Sequence, residues 1–173
     1  MKDINLDNGY IIKRLNLNDK NIISNLYKKC LDYCLMHYET IDINIKDEID
    51  NLFFSLPPNK EYKDKFVLGI FDKLNKLVGI IDIVKNFPKN SQWIIGLMLI
   101  EPKERNKNLG KTVHKIIVDF AITLGANSFR VGVINENTMG KNFWTNLGYK
   151  KIKEVNMNFK QVSKMVNVMT LKF

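Results

Sequence analysis

The sequence predicts a single α/β domain in which a central mixed sheet carries helices on both faces. Three observations lead to this prediction. The 173 residues have the length of one domain. Apolar segments typical of strands alternate with segments whose apolar residues recur every three to four positions, as in helices. No internal repeat or low-complexity segment interrupts this alternation, so we assign residues 1–173 to one domain.

The N-terminal half alternates between the two patterns. Its predicted elements are a strand at 9–15, a helix that follows Asn18 or Asp19 and includes Cys34, a helix at about 45–54, and strands at 66–71 and 77–84. An asparagine or aspartate before a helix can accept a hydrogen bond from the first free amides. The second helix ends before Pro57-Pro58, because proline cannot continue a helix.

The C-terminal half continues the pattern. Its predicted elements are a strand at 92–100, a helix at about 109–124, a strand at 128–134, a helix at 138–147, and strands at 149–159 and 164–173. The strand at 92–100 is apolar on both faces from Trp93 onward, which indicates a central position in the sheet. Gly125 and Gly148 follow the two helices, where glycine is favoured as a cap.

Composition and charge argue against several partners. Hydrophobic residues make up 45% of the chain and charged residues 26%, as in globular proteins. No apolar run approaches the roughly 20 residues of a membrane span. The net charge of +9 comes almost entirely from lysines spread along the chain. Nucleic-acid sites instead concentrate positive charge on one face, so we expect neither a nucleic acid nor a membrane as partner.

The N-terminus and the cysteines predict a cytoplasmic protein without a metal. Residues 1–7 are polar and lack the apolar core of a signal peptide. Cys30 and Cys34 lie four apart on a predicted helix, where Cβ atoms are about 5–6 Å apart, whereas a disulfide requires about 3.8 Å. No matching cysteine or histidine pair lies nearby, so we expect no zinc site.

The segment between the strand at 92–100 and the following helix suggests an anion site. It reads EPKERNKNLGK from Glu101 to Lys111. Helix N-termini expose unpaired N–H groups with partial positive charge, and these groups bind phosphates. Arg105, Lys107 and Lys111 add positive charge. By itself, the segment is also compatible with a solvated basic loop.

A second segment, residues 133–149, completes a pattern that resembles the signature of the GNAT acetyltransferase superfamily. The family's Arg/Gln-x-x-Gly-x-Gly/Ala motif is similar to Arg105–Gly110. Its Asn-x-x-Ala block, aromatic pair and Gly-Phe are similar to Asn137–Gly140, Phe143-Trp144 and Gly148-Tyr149. The spacing and the order of elements match across nearly the whole chain. The resemblance implies a mixed, mostly antiparallel sheet of about seven strands and an N-acetyltransferase that uses acetyl-CoA.

The resemblance also implies a site for acetyl-CoA or coenzyme A. In the family, loop amides and the start of the third helix bind the pyrophosphate. The strand before this loop splays from its neighbour and pairs with the pantetheine, whose thiol end lies beside the asparagine block and the aromatic pair. Carried over, the cofactor-binding residues are Met98, Leu99, Ile100, Arg105, Asn106, Lys107, Asn108, Leu109, Gly110, Lys111, Thr112, Asn137, Gly140, Phe143 and Trp144.

Two of these positions depart from the family pattern. Asn108 replaces a preferred glycine, and asparagine tolerates the left-handed conformation better than other non-glycine residues. Trp144 stands where many members have a tyrosine that protonates the departing thiolate. An indole N–H is not an acid at physiological pH. Either another residue donates the proton, or the thiolate leaves unprotonated, since thiols have pKa values near 8.5.

The candidate catalytic residues are two carboxylates. Acyl transfer to an amine requires a base, but the strand at 92–100 lacks the glutamate that such enzymes often carry there. Asp82 interrupts an apolar strand, where an acid serves in catalysis or substrate binding, is hydrogen bonded structurally, or lies on the exposed face of the sheet. Glu136 follows the strand at 128–134, near the expected acyl site, and is otherwise a charge at the rim.

The acceptor site is less clearly marked than the cofactor site. His37, Tyr38 and Trp93 are its candidate residues, although aromatic side chains at such positions are also common in cores. The compact chain favours a small-molecule amine slightly over a protein lysine or N-terminal amine. The alternative outside the class of enzymes is a non-catalytic module that binds acyl-CoA. The protein is expected to be a monomer or a homodimer, since an exposed terminal strand could pair across a dimer.

Overall fold

The computed structural model describes residues 2–173, and this part of the chain contains eight strands and five α-helices. The strands are β1 (Ile4–Asn5), β2 (Ile11–Arg14), β3 (Lys65–Phe71), β4 (Leu77–Val84), β5 (Gln92–Ile100), β6 (Ser128–Ile134), β7 (Lys150–Phe159) and β8 (Val162–Lys172). The helices are α1 (Lys20–Lys29), α2 (Leu31–Tyr38), α3 (Ile45–Phe54), α4 (Leu109–Thr123) and α5 (Thr138–Asn146). Three short 3₁₀ turns lie between them.

The strands form one sheet in the order β1-β2-β3-β4-β5-β6-β8-β7. Every neighbouring pair is antiparallel except β5 and β6. This confirms the predicted mixed, mostly antiparallel sheet with β5 at its centre. The structure has one strand more than the seven expected, because the two-residue β1 is too short to show a sequence period.

Helices cover both faces of the sheet, as predicted. Leu109 and Ile117 of α4 belong to the core on one face, together with Trp93 and Phe129. The other face packs against α1 and α3 through residues such as Leu26 and Ile49. In β4, Ile81 and Ile83 belong to the first core and Ile80 to the second, as expected of side chains that alternate along a strand. The sheet therefore separates two apolar layers, and its central strands are accessible only where neighbouring strands part.

The first predicted helix is in fact two helices, so the prediction that Cys30 and Cys34 share one helix is wrong. Cys30 has the non-helical angles φ −106° and ψ 47°, and its N–H donates to the Tyr27 carbonyl oxygen at 2.9 Å. The break changes the direction of the chain before α2, a feature that helical periodicity alone does not reveal. Both cysteines are buried and carry free thiols.

The central strands β5 and β6 part from one another along their length. They pair only from Gln92–Ile95 to Ser128–Val131, although β5 continues to Ile100 and β6 to Ile134. At the same level, Gly96 is an extra residue of β5, since Asp82 pairs with Leu97 and Ile83 pairs with Ile95. A bulge of this kind bends the strand that contains it. The result is a V-shaped gap in the middle of the sheet.

Candidate active site

The gap between β5 and β6 contains a cavity of about 110 Å³. Its walls come from four elements, of which α2 and β5 are far from each other and from β6 and α5 in the sequence. The lining residues are Tyr33 and His37 of α2, Ile95, Gly96, Leu97 and Met98 of β5, Val131, Gly132, Val133 and Ile134 of β6, and Asn137 and Trp144 at α5. Since α2 and α5 lie on opposite faces of the sheet, the cavity is bordered from both faces. We call this cavity the central cleft.

The second half of β5 directs backbone groups into the central cleft. The N–H of Glu101 donates to the Val78 carbonyl oxygen of β4 at 2.8 Å. Because hydrogen-bonding directions alternate along a strand, Leu99 also faces β4, whereas Met98 and Ile100 face the gap. The Ile100 carbonyl oxygen already accepts a hydrogen bond from Arg105 Nε at 2.8 Å. The N–H and C=O of Met98 and the N–H of Ile100 are thus the groups that can bind an extended ligand.

The N-terminus of α4 lies at the end of β5. Its first backbone hydrogen bond runs from the N–H of Thr112 to the carbonyl oxygen of Asn108, over 3.0 Å. Within residues 2–173, no acceptor bonds the preceding amides of Leu109, Gly110 and Lys111. Asn108 adopts the left-handed conformation at φ 61°, and Asn106 does so at φ 59°. The asparagine that replaces the family's glycine therefore takes the conformation that the turn requires.

The basic side chains of this loop differ in what they contact. Arg105 forms an ion pair with Asp32 of α2, including a contact of 3.2 Å between Nη2 and Oδ1. Although burial opposes the shift, the hydrogen bond and charge of Arg105 lower the pKa of Asp32. Lys107 lies 3.4 Å from Glu104. Lys111 is exposed on the first turn of α4. Main-chain amides, together with Lys111, are thus the groups available to an anion.

Residues of α5 close the other side of the central cleft. The Asn137 side chain caps α5 by accepting a hydrogen bond from the Gly140 N–H at 2.7 Å. A Cβ atom at Gly110 would lie 3.1 Å from Cε2 of Phe143, so the absence of a side chain lets the two helices meet. Trp144 is 8% exposed and packs edge-to-face on Tyr149 with 5.0 Å between ring centroids. The asparagine and the aromatic pair are therefore assembled beside the end of β6.

The three candidate acceptor residues lie in different places. His37 lines the central cleft, and its Nδ1 is 3.0 Å from the Tyr33 carbonyl oxygen. Tyr38 lines an adjacent cavity of about 200 Å³, and its hydroxyl donates to Glu48 Oε2 at 2.6 Å. Trp93 is 0% exposed and stacks on Phe66 in the core. The structure thus brings His37 to the cleft and Tyr38 beside it, whereas Trp93 lies away from both cavities.

Asp82 lies behind the central cleft, next to the bulge of β5. Its Oδ2 atom pairs with Nζ of Lys65 at 2.8 Å, and its Oδ1 atom is buried without a hydrogen-bond partner in the described chain. Burial raises the pKa of Asp82, and the charge of Lys65 opposes this shift. A Cβ atom at Gly96 would lie 3.1 Å from Oδ2. The carboxylate therefore occupies the space that a side chain at Gly96 would need.

The family model described as acetyltransferase (GNAT) domain matches residues 12–166. The chain belongs to the GNAT acetyltransferase family. This family uses acetyl-CoA. A comparison with curated protein sequences found no match.

Solved GNAT structures share the fold at low sequence identity. An acetyltransferase from Thermus thermophilus is 15% identical, with a TM-score of 0.73 and coverage of 95% of this chain and 97% of the other. The PaiA N-acetyltransferase from Thermoplasma acidophilum, in complex with coenzyme A, is 16% identical, with a TM-score of 0.70 and coverage of 95% and 99%. A spermidine N-acetyltransferase from Vibrio cholerae, in complex with CoA and spermine, is 15% identical, with a TM-score of 0.69 and coverage of 94% and 95%.

The other carboxylate proposed from the sequence is more distant from the centre of this GNAT site. Glu136 is exposed in the turn between β6 and α5, and it does not line the central cleft. Its carbonyl oxygen accepts a hydrogen bond from the N–H of Thr138 at 2.9 Å, so its backbone helps to shape the start of α5.

Four residues of the GNAT site were missed by sequence reasoning. Tyr33 lines the central cleft, Asp32 pairs with Arg105, Lys65 pairs with Asp82, and Gly96 forms the bulge. Only Gly96 has a local signal, because a glycine inside an apolar strand often marks a bulge. Asp32 and Lys65 act through partners that are remote in sequence, and Tyr33 reaches the cleft only in the folded chain, so no local pattern identifies these three.

Residues 2–173 of this GNAT domain hold neither a metal-binding cluster nor a membrane-spanning helix. Residues 2–173 contain no group of three or more histidine, cysteine, aspartate or glutamate side chains that could hold a metal ion. Over the same residues, no helix is both long enough and apolar enough to cross a membrane.

Proposed function

We propose that this GNAT protein transfers an acetyl group from acetyl-CoA to the amine of a small molecule, within a ternary complex. One observation carries the proposal. The gap between β5 and β6 runs through the sheet, from the side where the free amides of α4 lie to the face that α2 covers. A donor and an acceptor can therefore meet in the central cleft from opposite faces. Holding two reactants together supplies much of the advantage of such a reaction.

In the donor half of the site, protein groups alone can bind coenzyme A, and no metal ion is required. The amides of Leu109, Gly110 and Lys111 precede the first hydrogen bond of α4, as expected of a pyrophosphate site. The free backbone groups of Met98 and Ile100 match the alternating amides of a pantetheine arm. Asn137 and Trp144 then lie beside the thioester. All of the cofactor residues that the GNAT resemblance assigns remain part of this proposal.

The reaction is direct attack of the amine nitrogen on the thioester carbonyl carbon. A C–N bond forms, the C–S bond breaks, the amine loses one proton, and coenzyme A leaves as a thiolate. A backbone N–H aimed at the carbonyl oxygen stabilises the charge that develops there, and the Met98 N–H, which faces the central cleft, is the group we assign to this role. No tyrosine occupies the position of Trp144, so the thiolate is released unprotonated or receives the proton that the amine has lost.

The dimensions of the acceptor side favour a small amine. The central cleft measures about 110 Å³ and the cavity beside Tyr38 about 200 Å³. Amine acetyltransferases of this fold include the spermidine enzyme, which was solved with spermine bound. Of the two carboxylates named from the sequence, Asp82 lies behind Gly96 on this side, and Glu136 lies exposed in the turn before α5, outside the lining of both cavities.

The proposal is tested first at the donor site. Gly110→Trp should abolish binding of coenzyme A in a calorimetric titration, because a side chain at Gly110 has no space beside Phe143. Lys115→Trp, on an exposed position of the same helix, is the matched control and should keep the affinity. Unchanged affinity in a folded Gly110→Trp variant would remove this site from the proposal.

Turnover is tested with acetyl-CoA and a panel of small amines, with release of free thiol as the readout. Thiol release that depends on the amine, together with an acetylated product of the expected mass, supports the proposed activity. Binding of coenzyme A without turnover of any amine or peptide would instead identify a non-catalytic binding module. Turnover of peptides alone would assign the acceptor to proteins.

A further inference from the structure

We infer that His37 is the general base of the proposed acetyl transfer, accepting at Nε2 the proton that the attacking amine loses. This inference rests on the proposed function and deepens it. Sequence reasoning placed His37 only at the acceptor site and named the carboxylates as candidates for proton transfer.

The position of His37 is the first argument. Its ring lines the central cleft together with Met98 of β5 and with Asn137 and Trp144 at α5. These residues mark the thioester end of the proposed donor site. His37 approaches from α2, on the opposite face of the sheet. An amine that attacks the thioester from this face must pass beside the imidazole.

Hydrogen bonding determines which ring nitrogen is available. Nδ1 lies 3.0 Å from the Tyr33 carbonyl oxygen. A carbonyl oxygen only accepts, so Nδ1 carries the hydrogen and the neutral ring has its lone pair on Nε2. Within residues 2–173, Nε2 makes no hydrogen bond and is not among the buried unpaired atoms. It is therefore open to a ligand.

The surroundings of His37 keep the imidazole neutral at physiological pH. Burial is the largest influence and lowers its pKa below the ordinary 6.5. The Tyr33 carbonyl oxygen and Glu48 of α3 act in the opposite direction, whereas Lys164 of β8 lowers the pKa further. Lys164 is itself paired with Glu39.

Aromatic neighbours complete the environment of the ring. Tyr33 packs over the imidazole with 4.1 Å between ring centroids, and Phe159 of β7 meets it edge-on at 5.2 Å. Tyr38, the remaining aromatic neighbour on α2, lies 6.1 Å away. These contacts hold the ring in place from two sides. A neutral, oriented imidazole is the form that accepts a proton.

A base with a pKa below 6.5 is suited to this step. A free alkylammonium has a pKa of about 10.4 and would not transfer its proton to such a group. The amine therefore attacks as its neutral free base, the form that carries a lone pair. Its nitrogen becomes far more acidic once the C–N bond has formed, because it then carries the positive charge. His37 accepts that proton and becomes an imidazolium as the C–S bond breaks. The proton passes from the imidazolium to the thiolate or to water, and the ring is neutral again.

The two carboxylates are less well placed for this step. Oδ2 of Asp82 is paired with Lys65, and its Oδ1 is sealed from solvent. Glu136 is exposed outside the lining of the central cleft. Neither presents a free oxygen to the space that His37 borders. The structure therefore favours the imidazole over either acid.

The test compares His37→Gln with Leu35→Gln, an exposed position on the same helix. His37→Gln should reduce kcat/KM by about 10²-fold or more while leaving the calorimetric affinity for coenzyme A unchanged. Leu35→Gln should retain both values. Protonation of the amine lowers kcat/KM with falling pH in both proteins. The wild-type profile should fall more steeply below pH 6.5, and this additional acidic limb should be missing in His37→Gln.

Chemical rescue provides an independent readout. Activity of His37→Ala should increase when imidazole is added, which a purely structural role would not produce. Wild-type kinetics or an unchanged acidic limb in His37→Gln would overturn the inference, as would loss of the limb in Asp82→Asn but not in His37→Gln. Absence of turnover in the wild type would instead contradict the proposed function itself, so the two failures are distinguishable.

Discussion

Arg105 donates from Nε to the carbonyl oxygen of Ile100 over 2.8 Å, at the point where β5 enters the loop before α4. The rest of its guanidinium pairs with Asp32 at the start of α2. One side chain thus joins the proposed donor half of the site to the helix that carries His37. The resemblance assigns Arg105 to cofactor binding, and its contacts in the structure indicate that it acts through the main chain of this loop.

Arg105→Ala should therefore destabilise the domain and weaken the binding of coenzyme A together. The lost hydrogen bonds are expected to lower the free energy of unfolding by about 1–3 kcal/mol, as measured by urea denaturation. Asp32 is about half exposed, so a double-mutant cycle with Asp32→Ala should give a coupling below about 1 kcal/mol. Loss of affinity at unchanged stability would indicate that Arg105 contacts the phosphates directly.

The left-handed conformation of Asn108 should affect both the binding of coenzyme A and the stability of the fold. The same conformation at Asn75 should affect stability alone. Asn108 has φ 61°, and Asn75 in the turn between β3 and β4 has φ 57°. Replacing either by alanine should cost about 1 kcal/mol of stability, because a Cβ without a compensating polar group disfavours this region. Only Asn108→Ala should also weaken coenzyme A binding in calorimetry.

Glycine provides the complementary control at this position. Asn108→Gly should retain or improve the affinity, because glycine adopts positive φ without strain. If Asn75→Ala weakened coenzyme A binding as much as Asn108→Ala, the effect would be global, and the turn before α4 would have no special role.

The ion pair of Asp82 and Lys65 should matter for stability mainly because each buried charge has its partner. Replacing both residues by apolar ones should cost less than removing one of them. Asp82→Ala leaves the Lys65 ammonium, whose side chain is 4% exposed, without its carboxylate. Removal of one partner from a buried pair typically costs about 3–5 kcal/mol. The double variant Asp82→Leu/Lys65→Met should recover much of this loss in chemical denaturation. A single variant as stable as the wild type would contradict a structural role for the pair.

The buried histidine of α4 should make stability depend on pH. His114 lies 2.9 Å from the Tyr149 hydroxyl, and burial lowers its pKa from 6.5 to about 4. As the pH falls, His114 is protonated near pH 6.5 in the unfolded chain but only near pH 4 in the folded chain. The free energy of unfolding is therefore unaffected by the titration of His114 above pH 6.5 and decreases between pH 6.5 and 4. The contribution is about 3 kcal/mol at most, since one pKa unit corresponds to ~1.4 kcal/mol.

Denaturation of the wild type and of His114→Gln across this range measures the effect. The stability difference between the two proteins should change with pH between 6.5 and 4, and it should be constant above 7. His37 also has a lowered pKa, so the comparison must be between variants at each pH. A difference that did not vary with pH would show that His114 titrates alike in the folded and unfolded chains.

Local patterns predicted the elements that flank the candidate site with high accuracy. The bounds of β4, β5, β6 and α3 agree residue by residue with the sequence prediction, because apolar runs end there at polar or proline-containing segments. The break at Cys30 was not predicted, since the apolar period continues through it. Its non-helical backbone depends on packing against the end of β5, where Cys30 Sγ lies 3.9 Å from the Ile100 carbonyl oxygen.

The sequence by itself determined the family and predicted the donor side of the site, because that side consists of one turn, one helix start and one strand end, whose residue types and spacing are local. Only the tertiary structure decided which side chains meet in the central cleft. His37 and Met98 are 61 positions apart by their residue numbers, and they line the same cleft only because of how α2 crosses the splayed sheet. Residues that meet through long-range packing leave no periodic signal in the chain. The sequence therefore placed His37 at the acceptor site, and its proposed role as the base emerged only from the fold.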